Sequence, residues 1–317
     1  MDRKRSVMKV FVTGASGWIG RAVVPELLGA GHQVVGLARS DEAASQLASA
    51  GAVVLRGTVD DLDVLREGAQ TSDGVIHLAF KHDLAFSGDF QGAADADRRA
   101  IETFGDALAG TERPFVIASG LLGLTPGQVS TEDDGHGIDP STSNARGPSQ
   151  RHVNAEITLG FASRGVRSSI MRLAPTVHGV GDNGFMASVV AIARAKGVSG
   201  YIGDGTNRWP AIHRDDAARL FRLALESAPA GATLHATAEE GVALRDIAQV
   251  IGRHLDVPVV SIAPEDAAAH FTWLASFLAL DSPASNVQTR ELMSWTPTHP
   301  SLLEDLDGDS YYAQPSA

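Results

Sequence analysis

The sequence contains no cysteine, which excludes disulfide bonds, zinc sites with thiolate ligands and cysteine nucleophiles. Lysine is also scarce, with four residues in 317, and the formal net charge is −12, from 26 Lys plus Arg against 38 Asp plus Glu. Nucleic-acid backbones are bound by clustered basic side chains. The acidic composition therefore argues against a nucleic-acid partner.

Long hydrophobic runs are also lacking. The longest apolar stretch lies near residues 271–280, which is too short to span a bilayer. The basic start, Arg3-Lys4-Arg5, is followed by Lys9 before the apolar core of a signal peptide could form. Apolar residues make up 44% of the chain, which is typical of a globular protein. We therefore expect a soluble, cytoplasmic protein with no membrane partner.

Short apolar, β-branched runs alternate with helical segments in the first half of the chain. The predicted strands cover residues 7–12, 33–38, 52–55, 74–79, 114–118 and 166–173. The predicted helices of this half cover residues 18–28, 41–50, 90–108 and 148–163. The strands are continuously apolar, as expected for strands buried on both faces. The alternation predicts an α/β fold with a doubly wound parallel (Rossmann) sheet.

The second half is less regular. Residues 123–149, rich in Gly, Pro, Ser and Thr, are predicted to form a long loop. Helices are predicted over residues 185–195, 215–226, 244–255 and 264–279, and strands over 233–237 and 257–262. We expect a Rossmann domain over residues 1–175. Residues 176–317 would form mainly a smaller α/β substrate domain at the C-terminal end, with some segments returning to the large sheet.

Three glycines at intervals of three, Gly14, Gly17 and Gly20, follow the first predicted strand and open the first predicted helix. In dinucleotide-binding loops such glycines permit a tight turn, close approach of a pyrophosphate, and packing of helix on strand. The helix N-terminus also offers free N–H groups to an anion. The predicted cofactor-binding residues of this loop are Thr13, Gly14, Ser16, Gly17, Trp18, Ile19 and Gly20.

The residues after the second strand indicate which nicotinamide cofactor is bound. A carboxylate here would favour NAD, because it accepts hydrogen bonds from the ribose 2′-hydroxyl. The sequence instead has Arg39 and Ser40, which can pair with and donate to a 2′-phosphate. Asp41 comes too late and is expected to open the next helix. We therefore predict NADP(H) as the cofactor.

Residues 13–20, TGASGWIG, resemble the TGxxGxxG signature of extended and atypical short-chain dehydrogenase/reductases. Residues 75–79 are similar to the fourth-strand segment of that family, and residues 172–179 to its R-x-x-x-V-Y-G stretch. The similarity extends over nearly the whole chain and is closest to proteins described as NAD(P)-dependent epimerase/dehydratase. The resemblance implies further cofactor contacts at Leu78, Ala79, Pro175 and Val177. It also implies that Ser119 orients a substrate oxygen.

The sequence departs from this family at its catalytic pair, Tyr-x-x-x-Lys. None of the three tyrosines has a lysine four residues later. Glu156 matches a glutamate that commonly follows the family's lysine, which puts His152 at the lysine position and Pro148 at the tyrosine position. We predict Ser119 and His152 as catalytic residues, with His152 either donating a proton near neutral pH or holding the ribose. The adjacent Arg151 is a weaker candidate for the proton relay.

Other polar side chains are expected to face the substrate. His82 follows the fourth strand, and His178 and His213 precede segments of the substrate domain. Trp209 ends a glycine-rich segment, 203–209, that we expect to form part of the cleft wall as a mobile cover. The histidines are scattered without a metal-ligand spacing, so we predict no metal site.

Together these features predict an NADP(H)-dependent oxidoreductase acting on a carbonyl, alcohol or activated double bond of a small organic molecule. Two alternatives remain open at this stage. One is a catalytically silent NADP(H)-binding regulatory protein, which the missing tyrosine would explain. The other is an epimerase-type enzyme with no net redox change. The oligomeric state is also open, with a homodimer as one option.

Overall fold

The computed structural model of the protein describes residues 7–140, 143, 145 and 149–313. Arg3, Lys4, Arg5 and Pro148, which entered the sequence argument, lie outside the described residues. The strands of the described part are β1 (Lys9–Thr13), β2 (Gln33–Ala38), β3 (Val53–Arg56), β4 (Gly74–His77), β5 (Pro114–Gly120), β6 (Arg167–Leu173), β7 (Thr176–His178), β8 (Ser199–Ile202), β9 (Arg208–His213), β10 (Ala232–Ala236), β11 (Glu239–Ala243) and β12 (Val259–Ile262).

A seven-stranded parallel sheet forms the centre, in the order β10-β6-β5-β4-β1-β2-β3. Strand β4 is buried from end to end, and β1 and β5 are buried over most of their length, which explains their continuous apolar sequences. Because β1 lies between β2 and β4, the strand order reverses there. Ligands of open α/β sheets bind at the carboxyl ends of the strands beside such a reversal. The predicted Rossmann fold is confirmed.

The described residues form thirteen α-helices, some on the two faces of this sheet and others around a separate apolar core. They are α1 (Gly20–Gly29), α2 (Asp41–Ser49), α3 (Leu62–Gln70), α4 (His82–Phe86), α5 (Phe90–Leu108), α6 (Gln150–Gly160), α7 (Phe185–Lys196), α8 (Arg214–Ser227), α9 (Leu244–Leu255), α10 (Ala267–Phe271), α11 (Ala275–Leu278), α12 (Val287–Met293) and α13 (Leu302–Leu306). Helix α5 buries Ala93, Ala100, Phe104 and Leu108 at helical spacing, with Asp97 as a charged exception in that stripe. No helix among the described residues is long and apolar enough to cross a membrane.

Residues from 176 onward form smaller sheets with their own core and also contribute a strand and a helix to the large sheet. Strands β11, β9 and β7 form a three-stranded sheet, and β12 pairs with β8. These elements enclose a second apolar core that includes Trp209, Phe271 and Leu274. The same part of the chain also returns to the large sheet, where β10 pairs with β6 and α8 packs on α1.

Two sequence predictions in this part are wrong. The segment predicted as one helix over 264–279 is broken into two short α-helices, α10 and α11, and two 3-10 turns, Pro264–Asp266 and Thr272–Leu274. The break falls at Thr272, whose φ of 54° cannot continue a right-handed helix. Trp209 is not in a mobile cover but in β9, where it is fully buried. Its Nε1 donates to the carbonyl of Leu280 at 3.1 Å, which anchors it in the core.

The long loop after β5 has no helix or strand over residues 123–140, as predicted. It is nevertheless held to the rest of the protein. Ser130 forms a bridge with Ala284, and the carboxylate of Glu132 accepts from the Thr289 amide and hydroxyl at 2.8 and 2.7 Å. The loop is therefore tied to the chain segment that leads into α12.

Candidate active site

The glycine loop between β1 and α1 packs closely against its surroundings. Gly14 has a φ of +66°, and a Cβ there would lie 2.8 Å from the amide nitrogen of Ala79. A Cβ on Gly20 would lie 2.2 Å from the carbonyl oxygen of Gly14. Neither approach is open to a residue with a side chain. The turn thus presents the first amides of α1 at the carboxyl edge of the sheet, as the sequence motif predicts.

A buried chain of hydrogen bonds fixes this edge. The hydroxyl of Thr13 lies 2.6 Å from Nδ1 of His77, and Nε2 of His77 lies 3.1 Å from Oδ1 of Asp97. The amide of Asn154 donates to Oδ2 of Asp97 at 2.8 Å. These hydrogen bonds join β1, β4, α5 and α6, so the glycine loop and α6 are held in fixed positions relative to each other. The sequence argument missed it, although a charged residue in the apolar stripe of α5 is a detectable signal.

Trp18 connects the glycine loop to the second half of the chain. Its Nε1 donates to the carbonyl of Val177 at 2.8 Å, and the guanidinium of Arg214 stacks 4.2 Å from its ring centroid. Val177 lies on β7, just after Pro175 at the end of β6. The structure therefore brings the loop and the Pro175–Val177 segment together, as the resemblance implies.

Two arginines, rather than one, lie where the paired strands β2 and β3 end. Arg39 is exposed and lies 3.9 Å from Asp83 on α4. Arg56, at the end of β3, donates to the carbonyl of Ser40 at 2.6 Å and to Asp41 at 2.7 Å. The Ser40 hydroxyl oxygen accepts from the Ala43 amide as the N-cap of α2, which leaves its hydrogen free to donate. Sequence reasoning missed Arg56, because Arg56 comes close to Ser40 only through the pairing of β2 with β3.

Ser119 lies at the carboxyl end of β5 and is 2% exposed. Its hydroxyl has no hydrogen-bond partner among the described residues. In the sheet it is paired with Arg172 of β6. On the neighbouring helix α6, Arg151 donates to the carbonyl of Ala118 at 3.1 Å. Ser119 and the start of α6 therefore lie side by side, at the edge where a ligand would bind.

His152 follows Arg151 on α6, and its Nδ1 is buried without a partner in the described part of the chain. Burial lowers the pKa of His152 to about 4, and the positive charges of Arg172 and Arg151 act in the same direction. The expectation that His152 titrates between pH 6 and 8 is therefore wrong. At neutral pH its imidazole is uncharged and can orient a neighbour, but it cannot serve as a cationic acid.

The four residues predicted to contact substrate have different surroundings. His82 is exposed on α4, and its ring lies 5.1 Å from Phe80 and 5.7 Å from Phe86. His178 is fully buried, contrary to its expected position facing a cleft, and its Nδ1 lies 3.0 Å from Asp305. Trp209 is part of the core, as described above. Of these three residues, His82 is the one whose ring is exposed beside other aromatic rings, whereas Trp209 meets Phe185, at 5.5 Å, from inside the core.

His213, the fourth of these residues, lies 5.5 Å from the ring of His178. It also belongs to a group with Asp215 and His299 whose potential ligand atoms lie within 4.8 Å of one another. The expectation that the histidines are scattered is wrong here. However, Nδ1 of His213 already accepts the Asp215 amide at 3.2 Å, and Nδ1 of His299 pairs with Asp216 at 3.0 Å. These contacts tie the start of α8 to the segment before α13.

Several aromatic side chains from distant segments come together, a feature that sequence reasoning missed. We call Phe80, Phe86, Phe185, Trp273 and Phe277 the aromatic cluster. Its rings come from α4 and the preceding loop, from α7, and from the broken 264–279 segment. The guanidinium of Arg151 lies 4.4 Å from the centroid of the Phe80 ring. No local pattern signals this assembly, because its members are brought together only by the tertiary fold.

A family comparison agrees with this architecture. The NAD dependent epimerase/dehydratase family model matches residues 10–236, and the chain belongs to that family. An uncharacterized protein of Schizosaccharomyces pombe is 47% identical over 306 residues, covering 96% of this chain and 100% of the relative.

More distant similarities reach proteins with named activities. The 4-hydroxy-2-methyl-3-oxo-4-farnesyl-3,4-dihydroquinoline-1-oxide ketoreductase of Stigmatella aurantiaca is 25% identical over 279 residues, covering 83% of this chain and 79% of the relative. Among solved structures, UDP-glucose 4-epimerase with UDP-glucose from Thermotoga maritima superposes with a TM-score of 0.73 at 18% identity. It covers 96% of this chain and 98% of that chain, and the likeness shows a shared fold.

Proposed function

We propose that this protein is an NADP(H)-dependent oxidoreductase that transfers hydride between the nicotinamide and a carbonyl, alcohol or activated double bond of a small organic molecule. The observation that carries this proposal is the buried Ser119 hydroxyl, which has no partner among the described residues at the carboxyl end of β5. Burying an unsatisfied hydroxyl costs free energy. Its presence at this edge is accounted for if a ligand oxygen supplies the missing hydrogen bond.

The loop geometry supports a dinucleotide cofactor. The close packing at Gly14 and Gly20 makes the tight turn that leads into the N-terminus of α1, where a pyrophosphate would lie. The residues that would hold the cofactor are Thr13, Gly14, Ser16, Gly17, Trp18, Ile19, Gly20, Leu78, Ala79, Pro175 and Val177. When bound, the nicotinamide supplies or accepts a hydride. Arg39 and Ser40, with Arg56 beside them, favour a 2′-phosphate and hence NADP(H).

The chain's own residues would stabilise charge on the substrate oxygen. Reduction of a carbonyl leaves negative charge on that oxygen, and the Ser119 hydroxyl is placed to donate to it. The fixed positive charge of Arg151 lies beside the same strand. Because His152 is neutral at pH 7, we propose that the proton comes from water through the Ser119 hydroxyl.

Two further considerations support this reading. The 25% identical relative is a ketoreductase, which is consistent with reduction of a carbonyl group. Residues after 176 supply the aromatic rings of α7 and of the 264–279 segment beside α4. We propose that these residues form the substrate part of the protein.

The test is consumption of NADPH by the full-length protein with a panel of aldehydes, ketones, imines and enones. Turnover with at least one class is expected. Tight NADPH binding without turnover of any compound would favour a regulatory binding protein. Interconversion of substrate stereoisomers without net consumption of cofactor would favour an epimerase.

A further inference from the structure

Two exposed aromatic rings from distant parts of the chain touch each other. Phe86 is 47% exposed and Trp273 is 44% exposed, and their ring centroids lie 4.9 Å apart. The other large apolar side chains with comparable exposure in the described part are aliphatic. Single exposed apolar residues need no explanation, but an aromatic pair assembled from two segments marks a binding surface.

The contact continues inward on both sides. Phe185 lies 5.8 Å from Trp273 and 5.5 Å from Phe277. On the other side, the His82 ring links Phe86 to Phe80. Phe80 is covered by Arg151, which donates to the carbonyl of Ala118, the residue before Ser119. With the His82 ring as the link between Phe86 and Phe80, the aromatic cluster therefore forms a series of rings from solvent to Arg151, beside the proposed reaction site.

The backbone supports the outward position of Trp273. Thr272 has a φ of 54°, a conformation that β-branched residues rarely adopt. Phe271 and Leu274, on either side of this position, are 2% and 0% exposed, while Trp273 lies in solvent. Strained backbone of this kind often occurs at ligand-binding sites.

We propose that the aromatic cluster binds the substrate, and that the substrate is a flat, apolar carbonyl or enone compound with an aromatic ring system. This inference rests on the proposed oxidoreductase function. Aromatic side chains bind ring faces by stacking and edge-to-face contacts. A nucleoside diphosphate would need several fixed cations. Two cations lie near this surface, and both are engaged: Arg151 is stacked on Phe80, and Arg39 faces the carboxylate of Asp83.

The experiment compares two aldehyde probes, 2-naphthaldehyde and acetaldehyde, on full-length protein. Binding is measured by calorimetry on the NADP⁺-loaded protein, where no reduction can occur, and turnover is measured with NADPH. We expect 2-naphthaldehyde to bind measurably and to have the higher kcat/KM. Phe86→Ala and Trp273→Ala should each weaken its binding by roughly two- to tenfold, the scale of one aromatic contact. Trp273→Phe should recover most of the loss.

The matched control is Leu292→Ala, which removes a 51% exposed apolar side chain from α12, outside the cluster. It should leave both probes unchanged, and none of these variants should alter NADPH affinity. Equal kcat/KM for both aldehydes would overturn the inference. So would unchanged 2-naphthaldehyde affinity in the two alanine variants, or tighter binding of UDP-glucose than of 2-naphthaldehyde.

These outcomes separate the inference from the proposed function. If the alanine variants lose 2-naphthaldehyde binding but the wild type reduces neither it nor any other compound of the panel, the aromatic surface stands and the oxidoreductase proposal fails. If the wild type reduces 2-naphthaldehyde and the alanine variants do so with an unchanged KM, the oxidoreductase proposal stands and the aromatic surface is wrong.

Discussion

The guanidinium of Arg39 and the carboxylate of Asp83 face each other at 3.9 Å across the end of β2. The two side chains are 74% and 72% exposed, and an ion pair of this kind contributes little free energy. A 2′-phosphate carries more charge than a carboxylate and offers several oxygens to a guanidinium. If NADP(H) binds as proposed, Arg39 would therefore exchange Asp83 for its 2′-phosphate.

The first prediction concerns this exchange. Arg39→Ala should weaken NADPH binding by roughly ten- to hundredfold, since hydrogen bonds to charged groups are worth about 1.5–3 kcal/mol. NADH affinity should stay the same. Calorimetric titration with both cofactors measures the preference directly. Equal affinity of the wild type for NADH and NADPH would show that the cofactor assignment is wrong.

Two matched variants complete that test. Arg66→Ala removes another partly exposed arginine, one that pairs with Asp63 on α3, and should leave NADPH affinity unchanged. Asp83→Asn removes the carboxylate that competes with the phosphate. It should raise NADPH affinity by roughly two- to fivefold, in line with a surface ion pair worth up to about 1 kcal/mol.

The second prediction concerns Ser119. Ser119→Ala should lower kcat by about 10²–10³-fold, the usual scale for losing one hydrogen-bond donor to a developing oxyanion. Ser168 is the matched control, because its hydroxyl is also buried without a partner among the described residues. It lies near the amino end of β6, paired with Phe115, away from the ligand-binding edge. Ser168→Ala should keep the wild-type rate, and equal losses in both variants would contradict the assignment.

The third prediction follows from the neutral His152. Its pKa of about 4 in the folded state lies below its ordinary value of 6.5. The unfolded chain therefore binds more protons as the pH falls from 6.5 toward 4, and the stability that the neutral imidazole contributes above pH 6.5 is lost in that window. Between pH 7 and 4.5, wild type should lose about 1–3 kcal/mol more unfolding free energy than His152→Gln. Urea unfolding at both pH values measures the difference.

The lowered pKa of His152 also predicts how the reaction rate depends on pH. Because His152 does not titrate between pH 6 and 8, His152→Gln should change the rate without changing the shape of the pH profile in that range. A wild-type ionisation near pH 6.5 that disappears in the variant would show that His152 is the proton donor.

The fourth prediction concerns the glycine loop and distinguishes the effect of backbone strain from the effect of close packing. Gly14→Ala introduces a side chain at positive φ and only 2.8 Å from the Ala79 amide. Gly31→Ala also falls at positive φ, 90°, but nothing lies within 4 Å of its Cβ. Gly31→Ala should cost about 1–2 kcal/mol of unfolding free energy and leave NADPH affinity unchanged. Gly14→Ala should cost more and abolish NADPH binding. Normal cofactor affinity in Gly14→Ala would exclude this loop as the phosphate site.

Much of the fold could be predicted because its signals are local. Strand β2 was predicted with its observed bounds, Gln33–Ala38, because a buried parallel strand is a continuous apolar run between turns. Helix α5 was also predicted as observed, Phe90–Leu108, from its helical spacing. The glycine loop could be located because Gly14 and Gly20 meet backbone requirements that residues with a side chain cannot meet.

The remaining features depend on contacts between distant segments. Trp209 follows two glycines and looked like part of a mobile loop, but the pairing of β9 with β11 and β7 buries it. The lowered pKa of His152 follows from burial and from Arg172 on another element. Likewise, the contact between Phe86 and Trp273 joins residues far apart in the chain. None of these relationships has a sequence period or spacing that could reveal it.

The central claim, hydride transfer by this protein, is tested most directly by following the hydride itself. The full-length protein is incubated with NADPH deuterated at the transferred position of C4 and with 2-naphthaldehyde, and the alcohol is analysed by mass spectrometry. The account predicts one deuterium in the alcohol, formed by wild type and by Ser168→Ala but about 10²–10³-fold more slowly by Ser119→Ala. The account would be contradicted if the protein binds NADPH but transfers no deuterium to this aldehyde or to any other carbonyl, imine or enone of the panel.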